Sequence, residues 1–427
     1  MPNFFIAVSG LDADSKALNT IASNLSNMNT VAYKSKAASF TDMFYEQLGQ
    51  NNAGDPLQVG TGTKIATTTT NFTQGEYNTS GMTSNDMAVD GNGFFVVSDG
   101  SQNYLTRNGQ FTADTSGHLV TTNGDTLMGY AATNGVINST SLSALTLPTK
   151  GQIMSPSASS EFTIQANLNM SAASGSTYTS TVTLIDSLGS EHTATITYSK
   201  STTNNNEWGY SVALPASDFS PAVSTPITGT LNFDGANGNL QSITNAAGTV
   251  TTPVATGTST IPLSFTNLAD GASNLSLNWN LLSSTGGQVL TQVNQASATT
   301  SAVADGYKSG TYTEFTVDAD GSVRASYSNG QKQLIGAVAL GDVTNEQGLE
   351  SLGNGMYQTT KASGNANIGM AGTGALGSVK GSALELSNVD ISSEFSQLII
   401  AQRAFEANSK SITTFDSVTQ QTINMIR

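Results

Sequence analysis

Apolar positions near the start of the chain recur every three or four residues. Val8, Leu11, Leu18 and Leu25 form one stripe, with small Ser15 and Ala22 between them, and Ile21 and Met28 widen it. That spacing predicts an amphipathic helix. Ser9 stands at its N-cap with Asp12 three residues on, and the helix fades over 27–30, where Asn and Thr accumulate. The C-terminal end repeats the theme over a longer span: Phe395, Leu398, Gln402, Phe405, Ser409, Ile412, Asp416, Thr419, Ile423 and Ile426. No Pro or Gly interrupts residues 390–427, so a rod of about 55 Å is allowed at the α-helical rise. Asp390 or Ser392 is placed to cap it, with Glu394 in the first turn. Each stripe is narrow and carries polar residues at some seam positions, as coiled-coil seams do. The two ends are free to pair with each other, with a neighbouring chain, or both; packing on one globular core is the plainer alternative.

Between the ends the period changes to two. Residues 87–130 hold short apolar runs (Met87–Val89, Phe94–Val97, Leu119–Thr121, Leu127–Tyr130) punctuated by Asp90-Gly91, Asp99-Gly100, Asn108-Gly109, Ser116-Gly117 and Asn123-Gly124. Turn dipeptides so closely spaced predict short antiparallel strands. Leu275, Leu277, Trp279 and Leu281 alternate with Ser276, Asn278 and Asn280, a half-buried strand, and Val182–Tyr198 reads as a hairpin around Ser187-Leu-Gly189. The first style returns after 302 with Phe315–Val317, a turn at Asp320-Gly321 and an apolar run over 335–340.

The order helix, β, second β, β, helix implies nested domains. Residues 1–34 and 382–427 are expected to form a helical coiled-coil inner domain. Residues 72–149 and 302–361 form a first β domain, and 150–301 an inserted outer β domain. Segments 35–71 and 362–381 are expected as linkers. The fold class is therefore mainly β, in nested, discontinuous antiparallel domains, with α-helices at both termini. No strict internal repeat supports a solenoid.

Composition narrows the function. Of 427 residues only 11% are charged, with 15 Lys+Arg against 30 Asp+Glu, so the net charge is −15. A surface so poor in cations does not suit nucleic acid, whose phosphates require neutralisation. The absence of Cys excludes disulfides, thiol catalysis and Cys-ligated zinc. Two histidines, His118 and His192, leave little room for a His metal site or a Ser/His/Asp triad. No apolar run reaches membrane-spanning length, and the first residues lack the basic start of a secretory signal. The Thr/Asn-rich, Cys-free surface fits an extracellular protein.

No catalytic constellation emerges. Gly372-Thr-Gly374-Ala-Leu-Gly377 matches a dinucleotide fingerprint by letter but lacks the strand–helix context that the motif needs. Asp318-Ala-Asp320-Gly321 does not keep the spacing of a calcium loop and reads as a hairpin turn. Both histidines read as exposed strand-end residues, and Trp208 and Trp279 as β-domain aromatics. No cofactor or metal is expected.

Three segments carry a family resemblance. Ser23-Asn-Leu-Ser-Asn-Met-Asn-Thr-Val-Ala-Tyr-Lys34 resembles the N-terminal signature of bacterial flagellar rod and hook proteins, with Asn24, Asn27, Thr30, Tyr33 and Lys34 on its positions. The stretch 387–410 is similar to that family's C-terminal signature through Asn388, Asp390, Gln402, Arg403, Asn408 and Ser409. Asp90–Val97 and Leu105–Phe111 resemble the shared β domain. Ala38–Phe44, Tyr327–Gly330 and Gly348–Glu350 look like segments of the family's hook members, and the extra block at 150–301 is similar in placement to their outer domain. Ala32 stands where the family pattern carries Gly, and the stretch 45–61 is longer than in some members.

The resemblance implies a non-enzymatic subunit of an extracellular, curved helical tube that works as a universal joint between rod and filament. The terminal helices would line the tube, with Val8, Leu11, Leu18, Leu25, Phe395, Leu398, Phe405 and Ile412 as the coiled-coil seam. Partners would be further copies of the chain, the distal rod, hook–filament junction and hook-cap proteins, and the flagellar type III export apparatus, with no nucleic acid and no membrane insertion. A distal rod protein is the alternative within the family, and a secreted β-rich adhesin the alternative outside it.

Overall fold

The computed structural model describes residues 4–50, 56–245, 250–251, 260–283 and 286–425. The chain divides into two compact units: unit 1 comprises Met1–Thr149, Glu314–Ser326 and Lys332–Arg427, and unit 2 comprises Lys150–Thr313 and Tyr327–Gln331.

Unit 1 begins and ends with a helix. The first, α1, spans Phe4–Ser26, and the last, α2, spans Ile391–Met425. α1 starts earlier than the sequence pattern implies, so Ser9 is not its N-cap. The Ser9 hydroxyl instead donates to the Ile6 carbonyl (2.9 Å) and accepts from the Thr63 amide (3.2 Å). Asp390 caps α2, its Oδ1 accepting from the amides of Ser392 (2.8 Å) and Ser393 (3.2 Å). Ile426, the last position of the C-terminal pattern, lies outside the described residues.

The segments expected as linkers are paired strands. Lys36–Asp42 pairs antiparallel with Thr63–Thr70, and Tyr45–Gln50 pairs with Pro56–Gly60. Asn367–Met370 adds to Lys332–Asp342, and Ser378–Gly381 pairs with Met87–Asp90. Low hydrophobicity misleads here because a ladder needs only backbone groups. Gly377 shows the close approach involved: a Cβ there would collide with the Asp90 carbonyl. That turn, closed by the Gly372 amide on the Gly377 carbonyl (2.8 Å), is what the G-x-G-x-x-G letters build.

The β part of unit 1 is a sheet running Ser322–Tyr327, Lys332–Asp342, Thr126–Thr133, Phe94–Ser98, Asn103–Thr106, Met356–Gln358 and Glu350–Gly353. Phe95, Val97, Phe111, Leu127, Phe315, Val338 and Leu340 pack on one side of it, and Phe94, Val96, Leu105, Tyr130 and Tyr357 in a second cluster. Asp318 to Gly321 forms the hairpin turn, with Gly321 at φ +78°.

Unit 2 is a two-sheet β structure. A six-stranded antiparallel meander follows chain order from Thr177–Ile185 through Glu191–Lys200, Glu207–Ala213, Ile227–Phe233, Leu240–Asn245 and Val250–Thr251. A five-stranded sheet is built around Glu161–Asn167 and includes Thr260–Phe265 and Leu275–Asn280. Leu275, Leu277 and Trp279 point inward as their alternation requires. Trp279 stacks on Phe162 (5.9 Å between centroids) and meets Tyr210 edge-on.

Both tryptophans are core residues. His192 is not an exposed strand end: it is buried, with Nδ1 at 2.9 Å from Asp218 Oδ2 and Nε2 at 3.1 Å from Asp186 Oδ2. Burial opposes a charge on the ring, but hydrogen bonds to Asp218 and Asp186 outweigh it and raise the His192 pKa. His118 lies at a turn, half-exposed beside Asp114 (3.2 Å).

Candidate assembly interface

The two helices run antiparallel. Asn24 Nδ2 donates to Glu394 Oε1 (2.9 Å) near the C-terminal end of α1, while Asn408 Nδ2 donates to Asp14 Oδ2 (2.8 Å) nearer its start. The residues α1 turns away from solvent are small at most positions: Ala7, Gly10, Ala13, Ala17, Ile21 and Asn24. At Gly10 a Cβ would stand 2.7 Å from Asn408 Nδ2, so this position brings the two helices close. On α2 the row through Glu394 and Asn408 also holds Leu398, Ala401, Phe405 and Ile412, all half-buried.

The buried face of α1 differs from the stripe read from the sequence. Ala7, Gly10, Ala17 and Asn24 each precede one of Val8, Leu11, Leu18 and Leu25, a rotation of about 100° on a helix of 3.6 residues per turn. Val8 is exposed and the three leucines are only half-buried. Phe395 is 52% exposed, whereas Leu398, Phe405 and Ile412 sit on the row facing α1.

A second apolar row on α2 is left open. Ile391, Phe395 and Ile399 follow one another at four-residue spacing, with Ile400 beside them at 69% exposure. Near the C-terminal end Val418, Ile423 and Met425 are exposed as well, as are Phe4 and Phe5 on α1. Between α1, α2 and the strand Lys36–Asp42 lies a cleft of about 330 Å³, lined by Ala17, Ile21, Ala37, Phe40, Ile400 and Ala404 among others. Phe40 and Phe44 extend the exposed apolar surface onto the hairpin.

Beneath the helices lies a polar clamp built from the signature residues. Asn24 also donates to the Lys36 carbonyl (2.8 Å) and accepts from the Lys36 amide (2.9 Å) and the Tyr33 hydroxyl (3.2 Å). Thr30 donates to Asn27 Oδ1 (3.0 Å), and Asn27 to the Ser23 carbonyl (2.9 Å), closing the turn after α1. Within that turn Ala32 adopts φ +55°, and its amide donates to the Glu385 carbonyl (2.8 Å). A left-handed conformation suits the Gly of the family pattern better than Ala.

Lys34 is fully enclosed, its ammonium donating to Glu385 Oε1 (2.6 Å) and the Thr73 carbonyl (2.9 Å). Arg107 Nη1 approaches the other Glu385 oxygen at 3.6 Å, and all three side chains are at least 96% buried. Burial lowers the Lys34 pKa below its ordinary value despite the opposing pull of Glu385. Asn388 completes the clamp by accepting from the Ser35 amide (2.8 Å) and donating to the carbonyls of Asn71 (2.8 Å) and Thr73 (2.9 Å).

The signature therefore splits in two. Asn24, Asn27, Thr30, Tyr33, Lys34, Asn388, Asp390 and Asn408 make contacts within the chain, and Ser409 is half-buried on α2. Gln402 and Arg403 are exposed, Arg403 having only a loose 3.7 Å contact with Glu406. Glu385, Arg107 and Gly10 were not singled out from the sequence. A lone acid within Ala383-Leu-Glu-Leu386, in a chain so poor in charge, is the signal that marks Glu385.

Known proteins place this arrangement. The family described as Flagella basal body rod protein matches residues 5–34, and Flagellar basal body rod FlgEFG protein C-terminal matches 380–425. Flagellar hook protein FlgE/F/G D1 domain matches 88–184, and Flagellar basal body protein FlaE D2 domain matches 154–307. Flagellar hook protein FlgE of Salmonella typhimurium is 34% identical over 447 residues, covering 99% of this chain and 100% of its own. The chain belongs to the flagellar hook protein family. The hook protein FlgE of Treponema pallidum is 30% identical over 466 residues and all of both chains. The crystal structure of Helicobacter pylori flagellar hook protein FlgE2 shares the fold, with TM-score 0.52 at 15% identity over 72% of this chain and 99% of that one. This hook-family chain is thus a structural subunit of the bacterial flagellar hook and not an enzyme. No helix among its described residues is long and apolar enough to cross a membrane.

Proposed function

We propose that the chain polymerises into a curved helical tube, with the paired terminal helices as its inner layer and the β units outside. The tube acts as a universal joint that carries motor torque from rod to filament. An open helical polymer requires a patch on one copy to meet a different patch on the next. The observation that supports this reading is the uncovered row Ile391, Phe395, Ile399 and Ile400 beside an apolar cleft, on helices that are already paired within the chain. The seam residue Phe395 belongs to that open row and Val8 is exposed near the start of α1, while Leu398, Phe405 and Ile412 lie on the row that faces α1.

Neighbouring axial proteins would meet the same surface at the ends of the tube, and a chain of this kind reaches its site through the flagellar export apparatus. Unit 2, with its neutral Ser/Thr/Asn exterior, would make wet contacts that exchange readily as the tube bends. Electron microscopy of the purified chain after polymerisation tests the reading. Curved tubes are expected from the full chain and none from a chain lacking 1–30 and 390–427. Tubes from the shortened chain would overturn it.

A further inference from the structure

Within unit 2, three connections bring titratable groups to one point. Asp186 lies in the turn between Thr177–Ile185 and Glu191–Lys200, Asp270 precedes the strand Leu275–Asn280 of the other sheet, and His192 begins Glu191–Lys200. The ligand-capable atoms of Asp186, His192 and Asp270 all lie within 4.8 Å of one another. His192 Nε2 stands 3.1 Å from Asp186 Oδ2 and 4.0 Å from Asp270 Oδ2.

Each carboxylate is oriented. Asp186 Oδ1 is held by the amides of Leu188 and Ser190 (both 2.8 Å), and Asp270 Oδ1 by the amide of Ala272 (3.1 Å). In both cases the other oxygen is left facing the imidazole. On the far side of the ring, Nδ1 at 2.9 Å from Asp218 Oδ2 can donate its proton there, so an ion that displaces the Nε2 proton from its 3.1 Å hydrogen bond to Asp186 Oδ2 would meet an Nε2 lone pair aimed between the two carboxylates.

We propose that Asp186, His192 and Asp270 form a divalent transition-metal site of the zinc type, with Asp218 as the positioning residue behind the histidine. Separations of this size suit the arrangement: ligands about 2.1 Å from a shared zinc lie roughly 3–3.5 Å apart, and Asp270 closes the remaining gap by a small turn rotation. One imidazole with carboxylates favours zinc-like ions over calcium or magnesium, which take all-oxygen sets. A carboxylate on the second ring nitrogen is the usual support of a metal-binding histidine. The charge calls for a cation too: three carboxylates surround one histidine, and among the described residues no Lys or Arg forms an ion pair with any of them. The ion would clip the meander to the second sheet.

The test is zinc titration of the full-length monomer by calorimetry, with cobalt(II) absorption reporting the ligand field. One zinc per chain is expected. Asp270→Asn keeps the partly exposed turn and its Ala272 contact, and is expected to weaken binding at least tenfold. Asp218→Asn is expected to weaken it about 10- to 100-fold. His118→Gln is expected to leave it unchanged. Far-UV circular dichroism of each variant checks folding. Absence of zinc binding, binding unaffected by Asp270→Asn in a folded chain, or binding lost on His118→Gln would each overturn the site.

Discussion

Replacing Glu385 with Gln isolates the energetics of the clamp. The substitution keeps the side-chain volume and an oxygen able to accept from Lys34 and from the Gly75 amide (2.8 Å in the native chain). It removes the one negative charge shared by two cations that are 1% and 4% exposed. Breaking a buried ion pair from one side costs about 3–5 kcal/mol, because the remaining charge stays buried without compensation. Since Gln retains the hydrogen bonds, the low end, about 3 kcal/mol, is the appropriate figure, or a fall of roughly 6–12 °C in the melting of unit 1.

Both tryptophans, Trp208 and Trp279, lie in unit 2. Tryptophan fluorescence therefore serves as an internal reference, while the helical signal at 222 nm follows α1 and α2, both in unit 1. A pH signature separates charge from packing. Burial already lowers the Lys34 pKa from 10.5, so folding gains stability as pH rises through the folded value and the gain is complete above 10.5. Without its carboxylate Lys34 shifts further down, and the Glu385→Gln variant should recover part of its loss at a lower pH than the native chain. A loss below about 1 kcal/mol, or one independent of pH, would refute the buried-charge argument.

Other outcomes follow from single contacts. Ala32→Gly should raise the urea midpoint, gaining about 0.5–1 kcal/mol once relief of the left-handed strain is set against the greater freedom of unfolded Gly. Ile400→Asp should leave the monomer's melting unchanged, because the side chain is already exposed, and raise the critical concentration for assembly more than tenfold. Burying the remaining apolar area is worth about 1–2 kcal/mol, and burying a carboxylate opposes assembly further. Glu394 is buried against Asn24 with Oε2 unpartnered; burial raises its pKa from 4.5, the Asn24 bond opposes this, and Asp390 adds to it. A raised carboxyl pKa favours the fold below 4.5 and loses that contribution as pH climbs through the folded value, so Glu394→Gln should be the more stable chain at pH 7 and lose its advantage in acid-melt curves below pH 4.5.

Much of the fold is legible from local pattern. The alternation at 275–280 places Trp279 inward, and the uninterrupted stretch after 390 becomes α2. What escaped depends on contacts distant in sequence. Threonine- and glycine-rich stretches read as linkers because their side chains bury little, yet their backbones pair with strands that only the fold supplies. The cluster at His192 joins residues up to 84 positions apart, and no spacing rule reaches that far. The signature asparagines read as a family mark, but their work of satisfying backbone groups at the Lys34 turn appears only in three dimensions.

The rotated helix face is the most instructive difference, because periodicity picks out the large Val8, Leu11, Leu18 and Leu25, and of the large residues in that stripe the monomer buries only Ile21. If Leu11 and Leu18 faced α2, the pair would be thicker and would hide the surface that a neighbour must grip. Placing Ala7, Gly10, Ala13 and Ala17 inward lets two helices pair closely while large residues stay on the outside. Gly10 carries a helix-propensity cost of about 1 kcal/mol against Ala, a cost that only close approach to Asn408 explains. Gly10→Val restores propensity only in part and drives side-chain atoms into Asn408, breaking its bond to Asp14. Faster amide exchange along α1 and loss of tube formation are the expected results. A Gly10→Val chain with native exchange rates and normal tubes would show that the small-residue face is incidental to assembly.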